Sequence, residues 1–288
     1  MVSRKGAPEQ WRGIMLIILA VCLFGGVDGL SKIVIDTQSF GQIVFFRYAL
    51  ALPLMLATTA PKNWRGLFTT RRPGLQITRA FAPLIIGGTM VVGVRYLPLA
   101  EATVILFAGP FIVVALSGRL LGEKVGPSSW IGVAIGFLAV LIVARPGFGA
   151  LSVYSVFPLA GAFFYAAFQL LTRQLAASGE DSTTTLAWTV TIGLIVSAPL
   201  AFFMWEPVSP QTWLVFLALG LVFGASQLLL VRAFNYAPAN VLTPFSYVQI
   251  IAATAFGYVA FGDVPDQWTI VGIAMIIAAG VYILRSAR

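Results

Sequence analysis

Residues 95–111 read RYLPLAEATVILFAGPF, and residues 235–251 read NYAPANVLTPFSYVQII. Slid by 140 positions, the first falls on the second without a gap: Tyr96-Leu97-Pro98 on Tyr236-Ala237-Pro238, Thr103 on Thr243, Phe107 on Tyr247. The same register carries Gly122-Glu123 onto Gly262-Asp263, Gly132 onto Gly272, Ala134 onto Ala274 and Arg145 onto Arg285. At the front of each half, Ser31-Lys32 matches Thr172-Arg173 with a slip of one residue. Helices rich in Gly and Ala supply some matches by chance, but not the Tyr-x-Pro, the Gly-acid pair and the Arg in one register. The chain therefore reads as a duplication, residues 1–147 and 148–288.

The repeated unit is built for lipid. Of 288 residues 59% are hydrophobic and 10% charged, where a soluble domain carries about 25% charged residues; the mean hydropathy is +0.93. A spanning helix needs roughly 20 predominantly apolar residues. Runs of that kind, bounded by Pro, Gly and charge, fall at 13–35, 40–59, 74–94, 99–118, 128–145, 151–172, 183–204, 212–233, 238–260 and 267–285. The predicted fold is an all-α polytopic membrane protein of ten transmembrane helices, five per repeat. The first run follows a basic segment, as a secretory signal does. Its length and the lack of a small-x-small cleavage site predict a retained helix.

Cytoplasmic loops retain Lys and Arg. With the N-terminus inside, the cytoplasmic segments hold Arg4, Lys5, Arg12, Lys62, Arg65, Arg71, Arg72, Arg119, Lys124, Arg173, Arg232, Arg285 and Arg288, 13 of the 18 basic residues. The opposite connections hold Arg95 and Arg145, both at helix ends, together with Asp36, Glu206, Asp263 and Asp266. Both termini are then predicted to be cytoplasmic, in a bacterial inner membrane. Five spans per repeat force the second copy to enter from the opposite side, so the repeats are predicted to be inverted. Inverted repeats are typical of secondary transporters, which bind substrate near the midplane where the halves meet; a duplicated scaffold without transport is the plain alternative.

Three stretches carry a resemblance: FRYALALPLM at 46–55, RYLPLAEATVILFAGPF at 95–111 and LGEKVGPSSWIGVAIGFLAVLIV at 121–143. With the five-plus-five layout, the chain resembles the drug/metabolite transporter superfamily, in particular its EamA-type members, over nearly its whole length. The resemblance implies transport of a small metabolite such as an amino acid, nucleotide-like compound, vitamin or sugar. Among these, bacterial amino-acid exporters are the nearest fit, and their cavity is lined by the first, third, fourth, sixth, eighth and ninth helices. The second half departs from the first in holding Asp263 where the first holds Glu123, so the two Gly-acid motifs are not taken as equivalent.

Several chemistries have no residues to work with. There is no histidine and one cysteine, Cys22, which disfavours zinc, haem, His-based acid/base catalysis and any intramolecular disulfide. No phosphate-binding Gly-x-x-x-x-Gly-Lys-Ser/Thr loop occurs. No cofactor, metal, catalytic residue or nucleic-acid partner is expected; the partners are a small molecule and the bilayer, with the chain a monomer or homodimer. Polar groups at membrane depth are costly and usually face a cavity or a partner. Asp28 and Lys32, at i and i+4 in the first span, are placed to neutralise each other. They form either a static pair with Lys32 reaching outward or a gate, proton or substrate site. Arg79 in the third span either reaches the interface or offers its fork of donors to a substrate carboxylate. Arg47 in the second span has Asp28 as its counter-charge.

Aromatic and amide side chains complete the expected site. Phe164, Tyr165, Phe168 and Gln169 fall in span six, Gln227 in span eight, and Tyr247 and Gln249 in span nine; Tyr247 is the repeat-mate of Phe107. Such a set suits a mostly apolar pocket with a few orienting polar groups, and the same residues could instead pack helices or face lipid. Pro110 and Pro244 lie within spans four and nine, where proline weakens a helix and can act as a hinge. Small-residue stripes in spans five and ten predict scaffold or dimer contacts. The function expected is a secondary transporter exporting amino acids, with import of a nucleotide-like or vitamin metabolite such as an adenosyl compound or riboflavin as the alternative.

Overall fold

A computed structural model describes residues 7–57, 59–121, 127–144, 153–236 and 242–286. Gly122-Glu123, Arg145 and Ala237-Pro238 of the repeat lie outside the described residues. Those residues form helices and no strand: α1 (Ala7–Val34), α2 (Phe40–Ala49), α3 (Ala51–Ala57), α4 (Pro73–Tyr96), α5 (Leu99–Leu106), α6 (Gly109–Leu121), α7 (Pro127–Ala144), α8 (Val156–Ala177), α9 (Ser182–Phe203), α10 (Pro210–Tyr236), α11 (Val248–Phe261) and α12 (Gln267–Ser286), with 3₁₀ turns at Pro61–Phe68, Val153–Ser155 and Thr243–Tyr247.

Among the described residues, six segments are long and apolar enough to cross a membrane: Trp11–Val34, Phe40–Ala57, Pro73–Tyr96, Val153–Thr172, Thr183–Phe203 and Pro210–Leu230. Shorter apolar helices occupy Leu99–Val113, Trp130–Val143, Phe245–Phe261 and Gln267–Ala279. Large apolar side chains are turned outward around the bundle, Phe203 and Val259 each 83% exposed, as a lipid-facing surface requires. The protein is a multi-pass membrane protein.

Three stretches predicted as unbroken spans are interrupted, and proline chemistry accounts for it. α5 ends at Leu106 and α6 restarts at Gly109. Pro110 has no N–H, and its ring collides with the carbonyl four residues back, which is that of Leu106. The chain turns there through hydrogen bonds from Phe107 N to Thr103 O (3.0 Å) and Ala108 N to Ile105 O (3.1 Å). Pro110 thus sits in the first turn of a new helix, where proline is tolerated. Pro244 stands likewise at the start of the 3₁₀ turn that precedes α11. Pro53 stands in the same relation to the break at Leu50 between α2 and α3.

Packing sets where a cavity can form. α1 lies against α10 and α11, α4 against α8 and α9, and α2 against α9 and α10. Glycines bring backbones close: a Cβ at Gly41 would stand 2.6 Å from the carbonyl of Leu200, and one at Gly220 2.6 Å from that of Phe46. Gly25, in the unbroken α1, faces the backbone of Ala253. α7 and α12 pack chiefly on one another, with smaller contacts to α5. At the start of α2, Ser39 Oγ accepts from Gln42 N while Gln42 Oε1 accepts from Ser39 N, a capping box. The buried Gln42 amide also exchanges two hydrogen bonds with the backbone of Glu206 (2.9 and 3.0 Å), fastening α2 to the α9–α10 connection.

Candidate functional site

A cavity of about 110 Å³ lies between α1, α4, α8 and α10, with Leu106 of α5, Ser246 and Gln249 also in its lining. Its walls draw on the six spans that the family resemblance implies, and Arg47 of α2 adds a seventh. Apolar side chains, among them Phe24, Ile86, Met90 and Phe223, form most of the lining. The polar groups are Asp28, Arg47, Tyr165, Gln169, Gln227, Ser246 and Gln249. Apolar walls with a few convergent polar groups are the usual make-up of a small-molecule site.

Asp28 and Arg47 are the charged pair of the cavity, 7% and 4% exposed. Arg47 Nη2 reaches Asp28 Oδ1 at 3.4 Å and donates to Ser31 Oγ at 2.7 Å. Ser31 Oγ in turn donates to the carbonyl of Val27 (2.7 Å), one turn back in α1. A Cβ at Gly87 would stand 2.8 Å from Arg47 Nη1, so the missing side chain on α4 is what admits the guanidinium. Arg47 Nε is buried with no hydrogen-bond partner among the described residues. At 3.4 Å the ion pair is longer than the 2.7–2.9 Å of a tight charge-assisted bond, and Arg47 keeps donor capacity unused among the described residues.

The expected Asp28–Lys32 pair is not formed. Lys32 Nζ lies 2.6 Å from Asp263 Oδ2 and 4.8 Å over the ring of Phe261. The four-residue spacing permits contact, but each side chain has a stronger partner on a neighbouring helix. Asp28 meets a buried guanidinium, and Lys32 meets the residue following the left-handed Gly262 that caps α11.

Tyr165, Phe168 and Gln169 share one face of α8 and line the cavity, with Gln169 Nε2 donating to Tyr165 Oη (3.0 Å). Phe164, one residue off that face, is 38% exposed and points away. Phe107 and its repeat-mate Tyr247 are not in the lining. They meet beneath it with ring centroids 5.7 Å apart, and Phe107 lies 6.2 Å from the Tyr165 ring. Both rings stand where a helix is interrupted. Arg79 lies one turn beyond the cavity's end, its guanidinium 4.4 Å over the Phe168 ring. Of the expected site residues, then, Asp28, Tyr165, Phe168, Gln169, Gln227 and Gln249 are brought together. Lys32, Arg79, Phe107, Phe164 and Tyr247 are not, and Pro110 and Pro244 flank the breaks.

The sequence pairs Arg47 with Asp28, and its depth within the second span is the signal that it also lines the site. The aliphatic lining of Ile86 and Met90 carries no signal that separates it from ordinary helix packing.

A bundle of apolar, membrane-length helices that encloses a small cavity with one charged pair is the build of a membrane carrier for small molecules. The chain belongs to the EamA-like transporter family, which matches it twice, over residues 11–145 and 153–285. It is 27% identical to the pseudopaline exporter of Pseudomonas aeruginosa, over 96% of this chain and 97% of that one. It is 26% identical to a riboflavin transporter of Vibrio cholerae, over 99% and 96%. To an S-adenosylmethionine uptake transporter of Rickettsia prowazekii it is 22% identical, over 96% and 93%. These names describe transport of small molecules, not catalysis.

Proposed function

We propose that the chain is a secondary transporter that exports small zwitterionic metabolites, amino acids in particular, across the bacterial inner membrane by alternating access. In this reading all ten apolar segments cross the bilayer as two inverted five-helix repeats, residues 1–147 and 148–288, with both termini in the cytoplasm. The observation that carries it is the Asp28–Arg47 pair in the cavity wall. A zwitterion presents an ammonium and a carboxylate on one carbon, and the loose pair offers one partner to each. Inserting such a headgroup keeps both protein charges compensated, so the desolvation that makes buried charge costly is not incurred again on binding. Aromatic and aliphatic walls then accept side chains of varied shape.

A second reading, import of a vitamin or adenosyl compound, is supported by the relatives named for riboflavin and S-adenosylmethionine. Counterflow in proteoliposomes across amino acids, nucleosides, adenosyl compounds and riboflavin, with and without a pH gradient, separates the two. Exchange of amino acids, lost in an Asp28→Asn variant that still folds, is the expected result. Exchange of riboflavin or adenosyl compounds alone would replace the first reading with the second.

A further inference from the structure

Arg79 is 4% exposed on α4. Three other cations of the described residues have a carboxylate: Arg47 has Asp28, Lys32 has Asp263 and Arg95 has Asp36. Arg79 pairs with no carboxylate among the described residues. Its Nε donates to Thr172 Oγ1 (2.8 Å), its Nη1 to Thr189 Oγ1 (2.6 Å), and Phe168 covers one face of the guanidinium. Both hydroxyls have committed their protons elsewhere, Thr172 to the carbonyl of Phe168 (2.6 Å) and Thr189 to that of Thr185 (2.7 Å). They therefore present only lone pairs to the cation. Two neutral acceptors and a ring face orient a guanidinium without neutralising it, and an uncompensated cation at this depth is expensive.

The position of Arg79 explains what the charge is for. One turn toward the cavity, Phe168 is part of the cavity wall. One turn the other way, the buried Gln76 donates to Thr185 Oγ1 and Glu180 Oε2 (both 3.2 Å), and its own Oε1 has no partner among the described residues. Glu180 borders an open groove of about 720 Å³ at the end of the bundle, together with Thr70, Arg71 and Thr184. A buried polar seam along α4, α8 and α9 thus runs from groove to cavity, with a cation midway.

We propose that Arg79 is a carboxylate-binding station on the path between that groove and the cavity, screened from the cavity by Phe168. Nη2 has no protein partner among the described residues and, with the second proton of Nη1, forms the planar fork that a carboxylate takes in a bidentate manner. The station deepens the zwitterion reading on which it rests: a carboxylate is passed from Arg79 to Arg47, and cations lacking one are not drawn into the seam.

The test reads anion binding directly and needs no transport. Cys22 is the only cysteine, so Cys22→Ser with Thr172→Cys carries one thiol beside Arg79. At constant ionic strength, acetate should slow maleimide labelling of that thiol severalfold and acetamide should not. Arg79→Lys should keep part of the acetate effect, and Arg79→Gln should abolish it. Equal action of acetate and acetamide would overturn the station, and that comparison stands even where the Gln variant does not fold. Acetate protection without amino-acid counterflow would leave the station in place and remove the amino-acid reading; counterflow without protection would do the reverse.

Discussion

Breaking the Lys32–Asp263 contact should loosen the end of the bundle where α1 and α11 finish, the outer end on the predicted orientation. The two residues are 231 positions apart, and each lies in a different one of the two family matches, so the contact ties one half of the chain to the other. The side chains are 17% and 27% exposed at 2.6 Å. A fully exposed pair contributes about 0.2–1 kcal/mol and a hydrogen bond to a charged group about 1.5–3 kcal/mol. Partial exposure places the coupling between these, at about 1–2 kcal/mol. Since about 1.4 kcal/mol is a factor of ten, losing the pair should shift the ratio of tied to released ends roughly tenfold. The assay is labelling of Val27→Cys in Cys22→Ser by a membrane-impermeant maleimide, because Val27 lines the cavity and is 1% exposed. Lys32→Met and Asp263→Asn should each raise the rate by about that factor, and the charge swap Lys32→Asp/Asp263→Lys should bring it back. Rates in both single variants equal to the parent, or a swap no better than either, would refute the reasoning.

Two further outcomes follow from local geometry. Gly41→Ala should cost about 1–3 kcal/mol, because the new methyl meets the Leu200 backbone, which cannot rotate aside. Gly74→Ala, with nothing within 4 Å of the added carbon, should be neutral or stabilising; melting temperatures in detergent compare the two. Glu180, in the α8–α9 connection, is held below the usual carboxylate value of 4.5, chiefly by the Thr70 hydroxyl and then by the Arg71 backbone N–H and Gln76. A depressed carboxylate stabilises the fold at neutral pH and loses that contribution as the pH falls through its folded value. The melting-temperature gap between the parent and Glu180→Gln should therefore be constant at neutral pH and close below 4.5; a gap that widens on acidification would contradict the assignment.

The elements were legible because hydropathy and proline leave marks in a one-dimensional string. The long apolar runs fall mainly on helix where the residues are described, and the break at Phe107-Ala108 is written in Pro110, although a proline in an apolar run does not by itself say whether the helix bends or stops. The side chains of the site were legible as types, since Asp28, Arg47 and Arg79 stand out in apolar surroundings. Their pairings were not. Spacing within a helix says which residues share a face, but partners come from the rotational phase of neighbouring helices, set by contacts such as Gly87 against Arg47. Asp28 and Lys32 sit 4 residues apart, and the helices on either side separate them into two pairs. Phe164 and Phe168 share that spacing too, and the one-residue difference in phase between α8 and the cavity sends the first outward.

The pairings that spacing missed bear on how such a chain could move. A contact within one repeat, such as Arg47 with Asp28, survives any displacement of the halves against each other. Lys32–Asp263 does not, and neither does Glu180 with Thr70, Arg71 and Gln76, which ties the opposite end of the bundle between residues of the two family matches. Both end ties are made at once in this structure, with the charged pair nearly excluded from solvent between them. A carrier that exposes one cavity alternately to two sides must release one tie while keeping the other. α1 holds Asp28 of the internal pair and, one turn further on, Lys32 of the breakable one. A ligand that draws Asp28 away from Arg47 therefore acts on the helix that carries half of the latch, and no relay through distant side chains is required.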